Sequence, residues 1–359
     1  MQGERPIPDL STFDPADHSW WQWREMGSPD DPYNQIPKLS PEDSLYKEYL
    51  DITEAGYESI LKDYDADEGW VFWKEQDGIT IHSKDHPDDP VRCFRGKGII
   101  PATAEVLRLH LVQVDLRKYW DDMFLGGTYK IELTPTVRVC NYKFSAPWPV
   151  ASRDFVIIAG EKITDDGLFV TVVNSIERDD IPVEEGFVRG MLKSSGFVIK
   201  PLDNDPVTGK PRCEITYLVQ LNPMGWIPTI VVNTVNVSQP LCINTLKNAI
   251  LLTEAMVEEM LRKFTELPAE EWKADKLRRL LNKAIDNHNG KPEMLYEPIQ
   301  YVVTGKRICD EDICETLEKI GKEEALYRMW KGSMPYLQSI ANKELNATAA
   351  DALANPPKH

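Results

Sequence analysis

Arg117 and Asp121, in the run Leu116-Arg117-Lys118-Tyr119-Trp120-Asp121, are the side chains whose types and spacing could act on a ligand. Four residues apart on a helix, a guanidinium and a carboxylate meet side by side. On a surface such a pair contributes a few tenths of a kcal/mol at most, about the lower end of what exposed ion pairs give. Inside an apolar site it costs desolvation and keeps fixed donors for an acceptor-rich group. Other polar constellations promise less. His82 and His86 flank a strand end and a proline-containing loop with no third ligand, so no metal is expected. Asp121-Asp122 and Asp179-Asp180 read as solvated turns. The sequence holds no G-x-S-x-G elbow, no P-loop and no G-x-G-x-x-G, and no nucleophile stands with a base. Neither catalytic residues nor a cofactor are expected.

The elements that must position this pair follow from periodicity. Residues 1–39 are rich in Pro, Asp and Ser around an island at Trp20, Trp21 and Trp23, and read as an irregular arm. Ser40-Pro41 resembles a helix start, with helix to about 62. A meander of three strands opens at Trp70, and Thr103 caps a helical stretch that runs through Arg117 to about Phe124. Strands are expected at about 127–134, 137–145, 153–163, 168–177, 187–201 and 213–222. Alternation puts Cys140, Tyr142 and Phe144 on one face, and Phe155 and Ile157 on one face of the next strand. From Gly225 to Phe264 a helical stripe passes through Val232, Val235, Gln239, Cys242, Leu246, Ala249, Thr253, Val257, Met260 and Phe264, with a kink at Pro240. Strand alternation and this stripe nominate Leu192, Val198, Tyr217, Val219, Val232, Val235, Cys242, Leu246 and Ile250 as cavity lining, residue types that an ordinary core would also use. Charged amphipathic helices follow at 270–287, 310–320 and 322–345.

Composition limits partners and class. The 359 residues are 42% hydrophobic and 28% charged, enough for one large domain with extensions, and the formal net charge is −17. That excess of acid argues against nucleic acid and against strong adhesion to an anionic membrane. Six scattered cysteines lack zinc or disulfide spacing, and the start MQGERPIPDL has no basic-then-apolar signal region, so reduced thiols and a cytoplasmic location are expected.

Two phrases in the right order carry a resemblance. Ala146-Pro147-Trp148-Pro149-Val150-Ala151-Ser152-Arg153-Asp154-Phe155-Val156 is similar to the proline-bounded corner and R-D-F/Y-V of START domains, the steroidogenic-acute-regulatory-related lipid-transfer family. Tyr217-Leu218-Val219-Gln220-Leu221-Asn222-Pro223-Met224-Gly225-Trp226-Ile227-Pro228 resembles that family's last strand running through G-W-I-P into its terminal helix. The resemblance covers Leu45 to Phe264. It implies an α+β helix-grip fold: a curved antiparallel β-sheet wrapped around a long C-terminal helix, enclosing a tunnel for one lipid. The chain is then an arm (1–39), a START domain (40–266) and an additional helical C-terminal extension (267–359).

Arg117 and Asp121 look like the inward pair of the phosphatidylcholine-transfer-protein-like branch, which implies a phosphate facing the guanidinium and makes a glycerophospholipid the first expectation. Tyr142 and Phe155 fall where that branch places aromatic residues around choline. The third aromatic position falls near Lys193 instead, a departure that weakens choline selectivity. Arg153 and Asp154 are expected to brace the corner. The lipid-binding set is Arg117, Asp121, Tyr142, Phe144, Phe155, Ile157, Leu192, Tyr217, Val232, Val235, Cys242 and Leu246. The expected function is non-enzymatic lipid transfer with transient contact to a membrane surface. Sterol, ceramide or a carotenoid-like molecule is the alternative cargo. A lipid sensor that binds a protein partner through 267–359, or an enzyme acting inside the tunnel, is the rival.

Overall fold

The computed structural model describes residues 36–86, 89–146, 150–304, 312–326 and 328–329. The tryptophan island, Pro147-Trp148-Pro149 of the corner, Cys309 and the expected helix beyond 329 lie outside them. Helix α1 (Ser44–Tyr64) is capped by Asp43, whose carboxylate accepts from Leu45 N, three residues after the Ser40 that the sequence suggested. Strands β1 (Val71–Gln76), β2 (Ile79–His86) and β3 (Asp89–Ile100) follow, the first pair joined at Asp77-Gly78, both in the left-handed region. Thr103 Oγ1 accepts from Val106 N and starts α2 (Ala104–Val112). The helical stretch then ends early. Helix α3 is the single turn Val114–Arg117, because buried Trp120 swings into the core, its indole donating to His110 O, as the chain turns into the next strand.

Strands β4 (Phe124–Thr134), β5 (Val137–Phe144), β6 (Ser152–Ile163), β7 (Phe169–Ser175), β8 (Phe187–Arg189), β9 (Met191–Leu202) and β10 (Arg212–Asn222) complete one sheet. Its order is β1-β2-β3-β10-β9-β7-β6-β5-β4; these pairs are antiparallel, and short β8 lies parallel to β6. Register shifts interrupt β1–β2, β2–β3, β4–β5 and β9–β10. Bulges of this kind raise the local twist and bend the sheet into a concave surface. Tyr57 and Ile60 of α1 cover its convex face, packed with Val170, Val172, Val198 and Leu218.

The concave face receives the helices. Helix α4 (Thr229–Asn236) and helix α5 (Cys242–Glu266) are separated by a 3-10 turn at Gln239–Leu241, a full break where a kink was expected. Pro240 packs so closely on β3 that a Cβ added at Gly96 would stand 2.4 Å from its Cβ. Only glycine lets this hinge seat there. Helices α6 (Ala274–Asn287), α7 (Glu293–Thr304) and α8 (Ile313–Ile320) follow. Helix α7 was not foreseen, since Pro298 inside it reads as a breaker. One buried apolar cluster runs from Phe94 and Ile215 of the sheet through Leu246 and Phe264 to Leu277, Leu295 and Leu317, so the last helices share the core of the sheet and α5.

Candidate functional site

Between the bent strands and the broken helix lies a cavity of about 340 Å³. Of the twelve residues nominated from sequence, Arg117, Tyr142, Phe144, Phe155, Ile157, Leu192, Tyr217, Val232 and Val235 line it. Asp121, Cys242 and Leu246 do not. Asp121 stands behind Arg117. Cys242 opens α5 beside that pair, partly buried, its thiol pushed up by burial and then by the Asp121 charge. Leu246 is solid core, as are Val219 and Ile250, because α5 closes onto the sheet one turn past the hinge.

Val198 is a correction with an identifiable cause. On β9 three steps separate Lys193 from Gly196, while their partners Gln220 and Leu218 on β10 are two apart. The extra residue flips the alternation, so that Leu192 and Phe197 share the cavity face while Val198 turns outward to α1. Ser195 Oγ holds the bulge by accepting from Gln220 N and donating to Lys193 O. Exposed Lys193 pairs instead with Asp89, at 2.6 Å.

The pair read from the sequence faces this space. Arg117 Nε and Nη2 each approach Asp121 Oδ2 to 2.9 Å, and Asp121 N donates to Arg117 O across the turn. Aromatic rings wall the guanidinium: Trp120, Phe144 and Phe124 have centroids 4.9, 5.2 and 5.6 Å from its carbon. Edge-to-face contacts of Phe124 with Tyr142 and of Phe144 with Phe155 fix that wall. Burial opposes the Arg117 charge, but Asp121 with the Tyr217 and Tyr142 phenols more than offsets it, and the guanidinium pKa is raised. Burial pushes both phenols well above their ordinary range, so they are neutral hydrogen-bond donors. A guanidinium carries five N–H donors, and among the described residues its side-chain acceptor is Asp121, through one oxygen. Donors therefore remain for an acceptor inside the cavity.

Arg153 and Asp154 behave as corner braces. Arg153 donates to the carbonyls of Pro223, Met224 and Ala151, and Asp154 receives a two-pronged contact from Arg189. The wall with a bare outer face is α4. Met224, Trp226, Ile230, Val231 and Val235 are exposed on it and on the approach to it, while Val231, Val232, Val235, Asn236 and Gln239 line the cavity. Two asparagines fasten this helix: Asn233 Oδ1 accepts from Arg92 N at 3.0 Å and its Nδ2 donates to Pro90 O, while Asn236 Nδ2 donates to Leu221 O. Sequence reasoning also missed Arg138, Glu161, Thr171 and Phe197 as lining. For Arg138 and Glu161 the signal was present, since each continues the alternation that nominated its strand neighbours.

No described helix is long and apolar enough to cross a membrane. The chain is 27% identical over 188 residues to mouse StAR-related lipid transfer protein 5, covering 51% of this chain and 85% of that protein. It is 28% identical over 166 residues to Protein ENHANCED DISEASE RESISTANCE 2-like of Arabidopsis thaliana, covering 44% of this chain but 23% of that protein. The solved structure of human StAR-related lipid transfer protein 5 matches with a TM-score of 0.53 and 23% identity, over 56% of this chain and 96% of that one, a likeness of fold. A second family model, described as an anticodon binding domain, matches residues 235–332. That stretch holds more acidic than basic side chains, which disfavours binding to a phosphate backbone. The START domain model matches residues 51–250, more than half of the chain and all ten strands with α4, and the chain belongs to the START domain family.

Proposed function

We propose that this chain takes one amphiphilic lipid into its cavity, carries it through water and releases it at a second membrane surface. Lipid binding and transfer is what membership of the START domain family implies. The observation that carries the reading further is Arg117, a charged donor with free N–H groups set among aromatic rings at one end of the hollow. It suits a phosphate, as on the glycerophospholipid expected from sequence, or a carboxylate, because both accept from a guanidinium. Exposed Trp226 and Ile230 suit contact of α4 with a membrane while the gate is open. Residues 40–266 are the carrier unit, and 267–359 extend it.

We infer transfer without turnover. Tyr142, Tyr217 and Cys242 are all held protonated by burial, and no histidine lines the cavity among the described residues. The carboxylate in the lining, Glu161, is held in an ion pair with Arg108. Native mass spectrometry of protein purified from its own source should show one retained lipid, and the stripped protein should reload from vesicles. Protein that neither retains a lipid nor acquires one from vesicles would refute the carrier reading.

A further inference from the structure

The cavity is polar at two ends. On β5 and β6 the inward positions run from Phe144 and Phe155, beside the Arg117 guanidinium, to Arg138 and Glu161. Six residues of strand separate Phe155 from Glu161, a run of roughly 20 Å at about 3.3 Å per residue. Tyr142 of β5 stands opposite Phe155 at the Arg117 end, and the inward side chains beyond that pair, Ile157 and Ala159 on β6 and Cys140 on β5, are apolar. Thr171, opposite Glu161 on β7, and Thr136 also line the far end.

These charges are held in place. Glu161 is 4% exposed and meets Arg108 of α2 at 3.0 Å, and the Arg108 guanidinium carbon sits 5.7 Å from the Phe169 ring centroid. Arg138 is 5% exposed, donates to Pro135 O and lies against the Tyr129 ring. Its register partner Ala159 is two residues from Glu161, so the two side chains are diagonal neighbours facing one space. Buried ionic groups at the end of an apolar hollow cost desolvation and contribute little to stability. Beside a cargo they supply what a hydroxyl needs, a carboxylate to accept its proton and a guanidinium to donate to its oxygen.

We propose that Glu161 and Arg138, with Thr171, form a second ligand-binding pole, and that the cargo is a double-ended amphiphile. Its acceptor-rich head docks on Arg117. A hydroxyl at the opposite end, up to about 20 Å away along the strand, docks between Glu161 and Arg138. An ω-hydroxy fatty acid or a rigid fused-ring acid with a remote hydroxyl has this chemistry. A lipid whose far end is a methyl leaves the pole unanswered. The proposal rests on the carrier reading and narrows its cargo.

The test compares two probes on stripped full-length protein: a saturated fatty acid, and the same acid bearing a hydroxyl at its terminal carbon. Wild type should bind the hydroxy acid at least about tenfold more tightly, the ratio expected when a hydroxyl gains a bond to a charged group while giving up its water. The paired replacement Arg108→Met with Glu161→Leu removes both charges while keeping bulk, and should bring that ratio to about one. Thr171→Val, which keeps shape and leaves the ion pair intact, should lower the ratio by a smaller factor and checks the result should the paired variant not fold. Equal affinity of wild type for the two acids overturns the second pole and leaves the carrier reading standing. Failure to bind either acid, in protein that also takes up no vesicle lipid, overturns both.

Discussion

Asp121→Asn isolates the charge of Arg117 in the cavity wall. At 2.9 Å the two side chains attract with about 6 kcal/mol if the effective dielectric constant is near 20. Desolvation of the pair offsets part of that, and removal of one partner from a buried pair leaves a net cost of roughly 3–5 kcal/mol. Arg117 and Asp121 keep 18% and 13% of their side-chain surface accessible, which permits some hydration of the orphaned guanidinium. We therefore expect the stripped variant to lose about 3 kcal/mol of stability, at the lower edge of that range. Urea denaturation of stripped wild type and variant measures this directly. Cargo should reverse the effect selectively. An anionic head restores a counter-charge to Arg117 in the variant, whereas in wild type it competes with Asp121. The ratio of affinities for an anionic over a zwitterionic lipid of equal chain length should rise at least about tenfold, equivalent to 1.4 kcal/mol. A loss below about 1 kcal/mol with an unchanged head-group preference would show that Arg117 does not face the cargo as a charge, and the reasoning would fail.

Three further outcomes follow from the same coordinates. Asn233→Ala removes two of the bonds that fasten α4, about 2 kcal/mol in all, and should speed lipid release into acceptor vesicles roughly thirtyfold, read by stopped-flow fluorescence. Burial lowers the pKa of His110 to about 4, so between the unfolded value near 6.5 and pH 4 the unfolded chain binds a proton that the native one excludes. Stability from this group is complete above that window and falls as pH drops through it, by about 3 kcal/mol, and His110→Gln should flatten the dependence of urea midpoints on pH. Truncation after Glu266 uncovers Met256, Met260 and Phe264 on α5, each fully buried and each worth roughly 1.5–3 kcal/mol, so the shortened chain should bind hydrophobic dyes and melt early.

Alternation and helical period made most of the elements legible, since each pattern reflects burial on one side. The Thr103 cap, β5 and the start of β10 stand within a residue of their expected places. The pattern failed where the backbone leaves its period. The extra residue near Ser195 turned Val198 from cavity to convex face, and nothing in the composition of Lys193-Ser194-Ser195-Gly196 announces a bulge rather than a turn. Arg138 and Glu161 were passed over for a different reason. A charged residue at an inward strand position contradicts the rule that interiors are apolar, and such contradictions collect at sites. Val232 and Val235 of the stripe on α4 face the cavity, while its continuation on α5 is packed core, because periodicity records burial and does not distinguish a hollow from a filled space.

The same distinction explains why α5 is broader in its apolar surface than one stripe. Ile243, Met256 and Leu261 lie outside the sequence-derived stripe and are as buried as Leu246 and Phe264 within it. A helix that met only the sheet would leave that second set in water. Here α6 and its neighbours take it: Phe264 packs edge-to-face on Trp272, whose indole donates to Leu317 O, and Lys322 closes the end of α5 by donating to the carbonyls of Thr265 and Leu267. The helix is thus clamped from both sides beyond the hinge, while α4 before the hinge is held by two asparagines and has its outer face bare. An opening motion must concentrate at Ser238–Leu241, where Pro240 interrupts the helix. In the proposed carrier, rigidity supplied by the extension confines opening to the hinge, and a point change in α6 that loosens α5 should spread the motion and slow lipid release to acceptor vesicles even though it touches neither cavity nor cargo.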